Sequence, residues 1–497
     1  MKRKSNTKQA LWIAIGNLFS TGVALVSAMI LSRYFTKEDY GTYKQVIYIY
    51  STTQIVFTLG LPRCFSYFLP RIPIEEAKET IKKITNIFYV TGLIFSILLF
   101  ITAPLLAEGF NNQKLTIAIR IYSPVALFLL PTMGLEGILS TYQKSEYIAL
   151  YNALTRIFML LCVVLPVIIY HGSYQMALWG FVISSFITYL LAVYLKNIPL
   201  RGVRHQRTNI TYKDIWAFSL PLMTANIWGA LINSTDQFFI SRYFGTEAFA
   251  NFSNGAAQLP FVGMVMASTV TVLTPVFTKD IHNQNFSEVI NLWQRSTIKA
   301  SKLLIPLIIY FIIFAKPLMV LMYGNQYAES SIYFQIKQLT AFTQVITAGA
   351  LIMAIGHTSY YSRIHAIALI ALVPLELIIS KTCNSAYWVT AGHVFIMLCL
   401  SFSAFVDVCK FLSIRIYKFI PIKTLTKLSS ISVLAGIISY IINKWISIEN
   451  TLAILCISFG IFLIFYILFS IIFKINYREI ILPLLSKFSN KYSSIKN

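Results

Sequence analysis

The chain has 497 residues, of which 57% are hydrophobic and only 12% charged, whereas a water-soluble domain carries about 25% charged residues. That balance excludes a soluble globular protein, because so much apolar surface is stable only against lipid. The formal net charge of +23 is no nucleic-acid footprint either, since no loop is long enough to fold into a basic soluble domain.

The N-terminus, "MKRKSNTKQALWIAIGNLFS", begins basic and turns apolar as a secretory signal does. No small-residue cleavage site follows, and the apolar run continues to Tyr34. It reads as a first membrane span and not a removed signal. Further runs predict spans near 10–32, 43–62, 85–106, 116–138, 148–170 and 174–195. A second set follows near 215–240, 248–275, 298–322, 330–354, 360–380 and 386–409, and a last pair near 425–446 and 451–473. Each is close to the roughly 20 residues that cross a hydrocarbon core as helix. The alternating ten-residue segments of an outer-membrane barrel are missing. The fourth span is interrupted by Pro124 and Pro131, and the ninth by Lys316-Pro317. The six cysteines are scattered through apolar runs without metal-ligand spacing, so neither a disulfide frame nor a metal site is expected.

Orientation follows from Lys and Arg, which concentrate in cytoplasmic loops. With the N-terminus inside, seven basic residues fall in outside loops: Arg33, Lys37, Lys114, Arg242, Lys316, Lys381 and Lys444. Four more (Lys44, Arg120, Arg156 and Lys337) fall within spans, and the remaining 30 of the 41 lie inside. Both termini are then cytoplasmic. Two inside segments, "PIEEAKETIKKITNIF" and "REIILPLLSKFSNKY", are written as amphipathic helices for the inner membrane surface.

One phrase occurs twice. "SRYFTKEDYGTY" at Ser32–Tyr43 aligns with "SRYFGTEAFANF" at Ser241–Phe252, an offset of 209 residues that also sets Asn17 against Asn226. The copies end spans one and seven. Six spans at about 35 residues each, loop included, predict a separation near 210. An even number of spans leaves both copies facing the same way, so the repeat is parallel. The expected fold is an all-α integral membrane protein of about 14 helices. It has two six-helix lobes, residues 1–200 and 201–418, and a C-terminal pair with a basic tail at 419–497.

These features resemble the polysaccharide repeat-unit flippases of the multidrug/oligosaccharidyl-lipid/polysaccharide exporter superfamily. Members share a first span holding Asn, here Asn17, and a closing "L-S-R-x-x-x-x-x-x-Y-G-x-Y", here Leu31–Tyr43. The second span closes on "LGLPRCFSYFLPR", the seventh reads "FSLPLMTANIWGALINSTDQFFISRYFG", and "LMYGNQYAESS" follows the ninth. One position departs: many members have Arg where this chain has Tyr67, with Arg63 nearby. The resemblance implies transport of a polyprenyl-pyrophosphate-linked oligosaccharide from the inner to the outer leaflet of a bacterial cytoplasmic membrane by alternating access. That transport would serve O-antigen, capsule or exopolysaccharide synthesis, alongside polysaccharide polymerase machinery. It implies no cofactor, no ATP site and no catalysis. A cationic cleft would hold the pyrophosphate while the polyprenyl tail stays in lipid.

Ionisable groups inside spans are costly, and they mark functional sites by default. Arg156 and Lys44 are the leading substrate-binding candidates. Arg33, Arg63, Arg242 and Arg363, at span ends, either join them or snorkel to headgroups. Asp236, with Asn233, Ser234 and Gln237 around it, and Glu376 are candidates for ion coupling. Each has the alternative of a structural ion pair or hydrogen-bonded cluster. A multidrug antiporter of the same superfamily would favour an acidic, aromatic cavity. A glycan polymerase or ligase would need an outside catalytic loop, and the outside loops are short. Reporter fusions at Lys8 and Lys491 should be active only as cytoplasmic reporters; an outward signal from either would overturn the fourteen-span reading.

Overall fold

The computed structural model describes residues 6–446 and 450–477, without the side chains of residues 6–11 and 224–226. Among the described residues every regular element is helical. In chain order the long elements are α1 (Asn6–Tyr34), α2 (Lys37–Phe57), α3 (Ile74–Gly109), α4 (Lys114–Thr141), α5 (Ser145–Tyr170), α6 (Tyr174–Leu200) and α7 (Tyr212–Gly255). Next come α8 (Pro260–His282), α9 (Phe286–Ile313), α10 (Ser330–Ile355), α11 (Thr358–Thr382), α12 (Tyr387–Phe411), α13 (Ile422–Ile446) and α14 (Thr451–Ile472).

Most expected spans fall on one of these helices, but the eighth, expected at 248–275, straddles the end of α7 and the break before α8. The second and ninth run past the ends of α2 and α9, and the count of fourteen is not reached by length and apolarity. Among the described residues twelve helices are long and apolar enough to cross a membrane, and α7, bent by 46° between Met223 and Ile227, makes a thirteenth. The helix left out is α2. Its sequence, "KEDYGTYKQVIYIYSTTQIVF", carries four charges and many hydroxyls. It buries Tyr40, Thr42, Tyr43, Gln45 and Tyr48 among neighbouring helices, so it has little need of an apolar surface.

The outward faces are apolar. Helix α3 exposes Val90, Ile94, Ile97, Ile101 and Leu105 along one stripe and buries Ile84, Phe88, Phe95 and Leu99 on the other side. Such a stripe is stable only against hydrocarbon. The breaks have local causes. Pro124 and Pro131 split α4 into short helical pieces, and Phe314 separates α9 from the short helix Ala315–Tyr323 that holds Pro317. Proline removes a backbone donor and crowds the preceding turn. The Pro131 carbonyl is met by the ammonium of Lys196, a buried lysine that also sits 5.8 Å from the centre of the Phe65 ring. Freed backbone groups at membrane depth are tolerated only when the protein satisfies them in this way.

The expected surface helix at 73–88 is instead the beginning of α3. Its 36 residues span about 54 Å at 1.5 Å per residue, well beyond a hydrocarbon core of about 30 Å. The apolar face predicted for lipid headgroups is largely covered by protein: Ala77, Ile81, Ile84 and Phe88 are buried. The second amphipathic segment, 478–492, lies outside the described residues.

Packing divides the chain into two units, one of Met1–Ser253 with Leu372–Val389 and the other of Asn254–Ala371 with Thr390–Asn497. In the second unit, Trp293 stacks on Phe419 at 4.3 Å and edges onto Phe405, while Tyr310, Phe314, Phe462 and Tyr466 join α9 to α13 and α14. Both copies of the repeated phrase lie in the first unit, and both are a helix, a short break centred on one non-helical residue, and a new helix. The break is Thr36 in the first copy (φ −61°, ψ 157°) and Gly245 in the second (φ 83°, ψ 177°), again 209 residues apart. Thr36 caps α2 by accepting a hydrogen bond from the Asp39 N–H.

The two copies touch. A Cβ on Gly41 would lie 2.3 Å from the Thr246 carbonyl oxygen, and Gln45 Nε2 donates to Ser241 Oγ at 2.6 Å. A second close approach occurs where α6 crosses α5. There a Cβ on Gly180 would lie 1.9 Å from the Cys162 carbonyl oxygen, inside a π-helical turn at Leu160–Val164. Gly41→Ala and Gly180→Ala should each destabilise the purified protein by about 1–3 kcal/mol, seen as a lower unfolding temperature in detergent. Gly22→Ala, which meets nothing within 4 Å, should leave that temperature unchanged or raise it.

Candidate functional site: a polar cavity around Arg156

Helices α1 and α5 come together where Gly16 faces Ala149; a Cβ on Gly16 would lie 2.9 Å from the Ala149 Cα. Small residues at this contact let polar side chains on the adjoining turns reach one another. Asn152 Nδ2 donates to Asn17 Oδ1 at 3.1 Å and to Glu136 Oε1 at 3.4 Å. One turn further along α5, Arg156 Nε donates to Ser20 Oγ at 2.7 Å, and its Nη1 lies 3.5 Å from Met159 Sδ. The spacings explain the meeting: Asn17 and Ser20 are three apart on α1, Asn152 and Arg156 four apart on α5.

Arg156 borders a cavity of about 220 Å³ inside the first unit. Its other polar walls come from α1 (Ser20), α5 (Tyr151, Asn152, Thr155) and α6 (Ser184, Ser185, Thr188). The guanidinium belongs near the middle of a helix apolar enough to cross a membrane, and four residues later the helix loosens into the π-helical turn at Leu160–Val164. Single π-helical turns occur preferentially at functional sites. An arginine fork surrounded by hydroxyls and amides can bind phosphate oxygens two at a time, and the hydroxyls suit sugar or water equally.

A second polar cluster lies elsewhere in the same unit. Asn112 Nδ2 donates to Thr42 Oγ1 at 3.0 Å and to Gln45 Oε1 at 2.7 Å, and Gln45 passes the chain to Ser241. Tyr48 donates to the Ser234 carbonyl at 2.8 Å, and Thr52 meets the Ser234 hydroxyl at 3.2 Å. Asp236 and Glu376 are fully buried here, both within electrostatic reach of the Tyr48 hydroxyl.

Of the six basic candidates, Arg156 alone lines the cavity among the described residues. Lys44 is half-buried on α2, its ammonium 5.3 Å from the centre of the Tyr40 ring. Arg33, Arg63, Arg242 and Arg363 are exposed at helix ends, and Arg242 donates to the Glu108 carbonyl. Asn17 joins the Arg156 side of the molecule through Asn152. Its repeat mate Asn226 lies on α7, with a side chain outside the described residues. Sequence reasoning passed over the hydroxyl wall of α6 and the buried Lys196. The signal for the wall was present as Ser184, Ser185 and Thr188, three hydroxyls on one face of an apolar helix.

Helices with apolar outward faces, one unit of which keeps a cation-bearing polar cavity, define a multi-pass membrane protein. The chain belongs to the polysaccharide biosynthesis protein family, whose model matches residues 7–280. It is 24% identical over 373 residues to the capsular polysaccharide biosynthesis protein CapF of Staphylococcus aureus, covering 73% of this chain and 89% of CapF. Its fold is similar to that of the lipid II flippase MurJ in an inward closed conformation, with a TM-score of 0.73 at 17% identity over 95% of this chain and all of MurJ. It is also similar to an inward-facing multidrug resistance MATE family transporter of the MOP superfamily. There the TM-score is 0.60 at 13% identity, covering 81% of this chain and 94% of the other.

If the cavity holds water, Thr155→Cys in a version lacking the six native thiols should react readily with a small water-soluble methanethiosulfonate. Leu161→Cys, on the exposed apolar face of the same helix, should not. A Thr155→Cys thiol as unreactive as that at Leu161→Cys would mean that water does not enter.

Proposed function

We propose that this protein is a flippase that carries a polyprenyl-pyrophosphate-linked oligosaccharide from the inner to the outer leaflet during synthesis of a surface polysaccharide. The supporting observation is Arg156, a guanidinium that donates to Ser20 at membrane depth beside an open polar cavity. Membership of the polysaccharide biosynthesis family supports a saccharide-bearing substrate. Sugars and pyrophosphate cannot cross hydrocarbon unaided, and a protein that shelters them while leaving the polyprenyl tail in lipid needs no chemical step. The protein therefore acts as a transporter and not an enzyme, in the cytoplasmic membrane with both termini inside. The six-helix lobes 1–200 and 201–418 are the moving parts of an alternating-access cycle. Lys44 and the four end arginines serve the entry and exit of the charged group.

A second reading, cation-driven export of drugs, draws on the buried pair Asp236 and Glu376 and on the likeness to MATE transporters. In the flippase reading these carboxylates couple an ion gradient to the return step. Arg156→Lys should retain partial export because charge remains while the planar fork is lost. Arg156→Ala and Arg156→Glu should lower glycan export by about tenfold or more, with lipid-linked oligosaccharide accumulating on the inner leaflet and membrane abundance unchanged. Wild-type export from a stably expressed Arg156→Glu protein would remove Arg156 from the mechanism. Drug resistance conferred by the wild-type protein, with no glycan defect on deletion, would favour the second reading.

A further inference from the structure

The connection between α6 and α7 is an ordered strap laid along the cytoplasmic end of α3. The Gln206 N–H donates to the Glu75 carbonyl at 3.0 Å, and the Thr208 N–H to Glu79 Oε2 at 2.8 Å. Thr80 donates to the Thr208 hydroxyl at 3.0 Å, and Lys83 Nζ to the Ile210 carbonyl at 2.9 Å. Thr208 is buried by these bonds. Between strap and helix opens a cavity of about 520 Å³. Its walls carry Lys82, Lys83, His205 and Arg207 together with Asn86 and Tyr212, against a single carboxylate, Glu79. That carboxylate is already engaged by the Thr208 N–H and by Lys83 at 3.3 Å. Lys82 and Arg207 are exposed, so the cavity presents uncompensated positive charge.

Its position matters as much as its charge. Lys82 and Asn86 stand on the same face of α3 as Val90, Ile94, Ile97, Ile101 and Leu105, each roughly one turn beyond the last. The polar end of this stripe lies on the side that the Lys/Arg distribution assigns to the cytoplasm, and the apolar remainder faces hydrocarbon. Tyr212, 46% exposed at the start of α7, is the type of residue that settles at headgroup level.

We propose that this cavity binds the phosphate-bearing headgroup of an anionic phospholipid of the inner leaflet, with the acyl chains lying along the Val90–Leu105 stripe. A free phosphate would gain from the cations alone; only a lipid uses both halves of the stripe. The proposal needs the fold and its membrane setting, and it stands whichever cargo the protein carries.

The test is native mass spectrometry of the purified full-length protein, supplied with equal amounts of phosphatidylglycerol and phosphatidylcholine. Wild-type protein should retain phosphatidylglycerol in preference. The double variant Lys82→Gln/Arg207→Gln should lower that preference by roughly tenfold or more, as expected for two basic residues at a membrane surface. Lys381→Gln/Lys444→Gln, on the opposite side, should not change it. The unfolding temperature without added lipid should match wild type in both, separating lost binding from lost fold. If the double variant does not fold, Arg207→Gln alone on the exposed strap carries the test. An unchanged preference in the folded variant would overturn the site. So would inorganic diphosphate that displaces phosphatidylglycerol at equal concentration, since that outcome would assign the cavity to a soluble anion.

Discussion

The guanidinium of Arg156 sits midway along an apolar helix, where hydrocarbon can neither solvate its charge nor complete its hydrogen bonds. Desolvating an ion costs several kcal/mol unless the protein supplies replacements. Much of the surrounding architecture serves that requirement. Gly16 and Ala149 are small, so α1 and α5 approach closely enough for Ser20 to meet Nε. Asn17, Asn152 and Glu136 extend the polar contacts on the adjoining turn. The hydroxyls of α6 complete the wall, and the close crossing at Gly180 holds α6 against α5. A helix bundle with larger residues at Gly16 or Gly180 would push these groups beyond hydrogen-bonding distance.

The same requirement recurs wherever the backbone breaks. Helix α4 breaks just after Pro131, and the Pro131 carbonyl is met by Lys196, whose long stem reaches it from α6. At the other polar cluster, Gln45 accepts from Asn112 and donates to Ser241, so both ends of one buried amide are satisfied. A buried network of this kind rigidifies its surroundings only when each member is paired. These pairings are why α2, too polar to pass as a lipid-facing span, is nevertheless a stable helix in the first unit.

The all-helical membrane fold was legible because lipid imposes it: long apolar runs, proline breaks and the Lys/Arg asymmetry all express one solvent. The helix break shared by the two copies of the repeated phrase is likewise a local event, written at Thr36 and Gly245. What the sequence did not disclose were contacts between distant segments. Nothing in the phrase around Gly41 says that its glycine faces Thr246 of the other copy. Nor does the run beginning at Ile74 reveal that its apolar face meets protein and not headgroups. Amphipathicity specifies an interface but not what lies across it. For the site, Arg156 stood out as a lone charge in an apolar run. The hydroxyls that share its cavity did not, because serine and threonine are ordinary in membrane helices until their partners are known.

The length of α3 gives the first unit a mechanical element. Helix α3 runs for 36 residues with its one internal proline, Pro104, close to the far end, and it is longer than a hydrocarbon core is thick. Any change in its tilt within the bilayer is magnified with distance from the pivot and is greatest at the Ile74 end. The strap is fastened to that end through Glu75, Glu79, Thr80 and Lys83, so it travels with the tip. The position of the segment from which α7 departs is thus tied to that of the Ile74 end of α3.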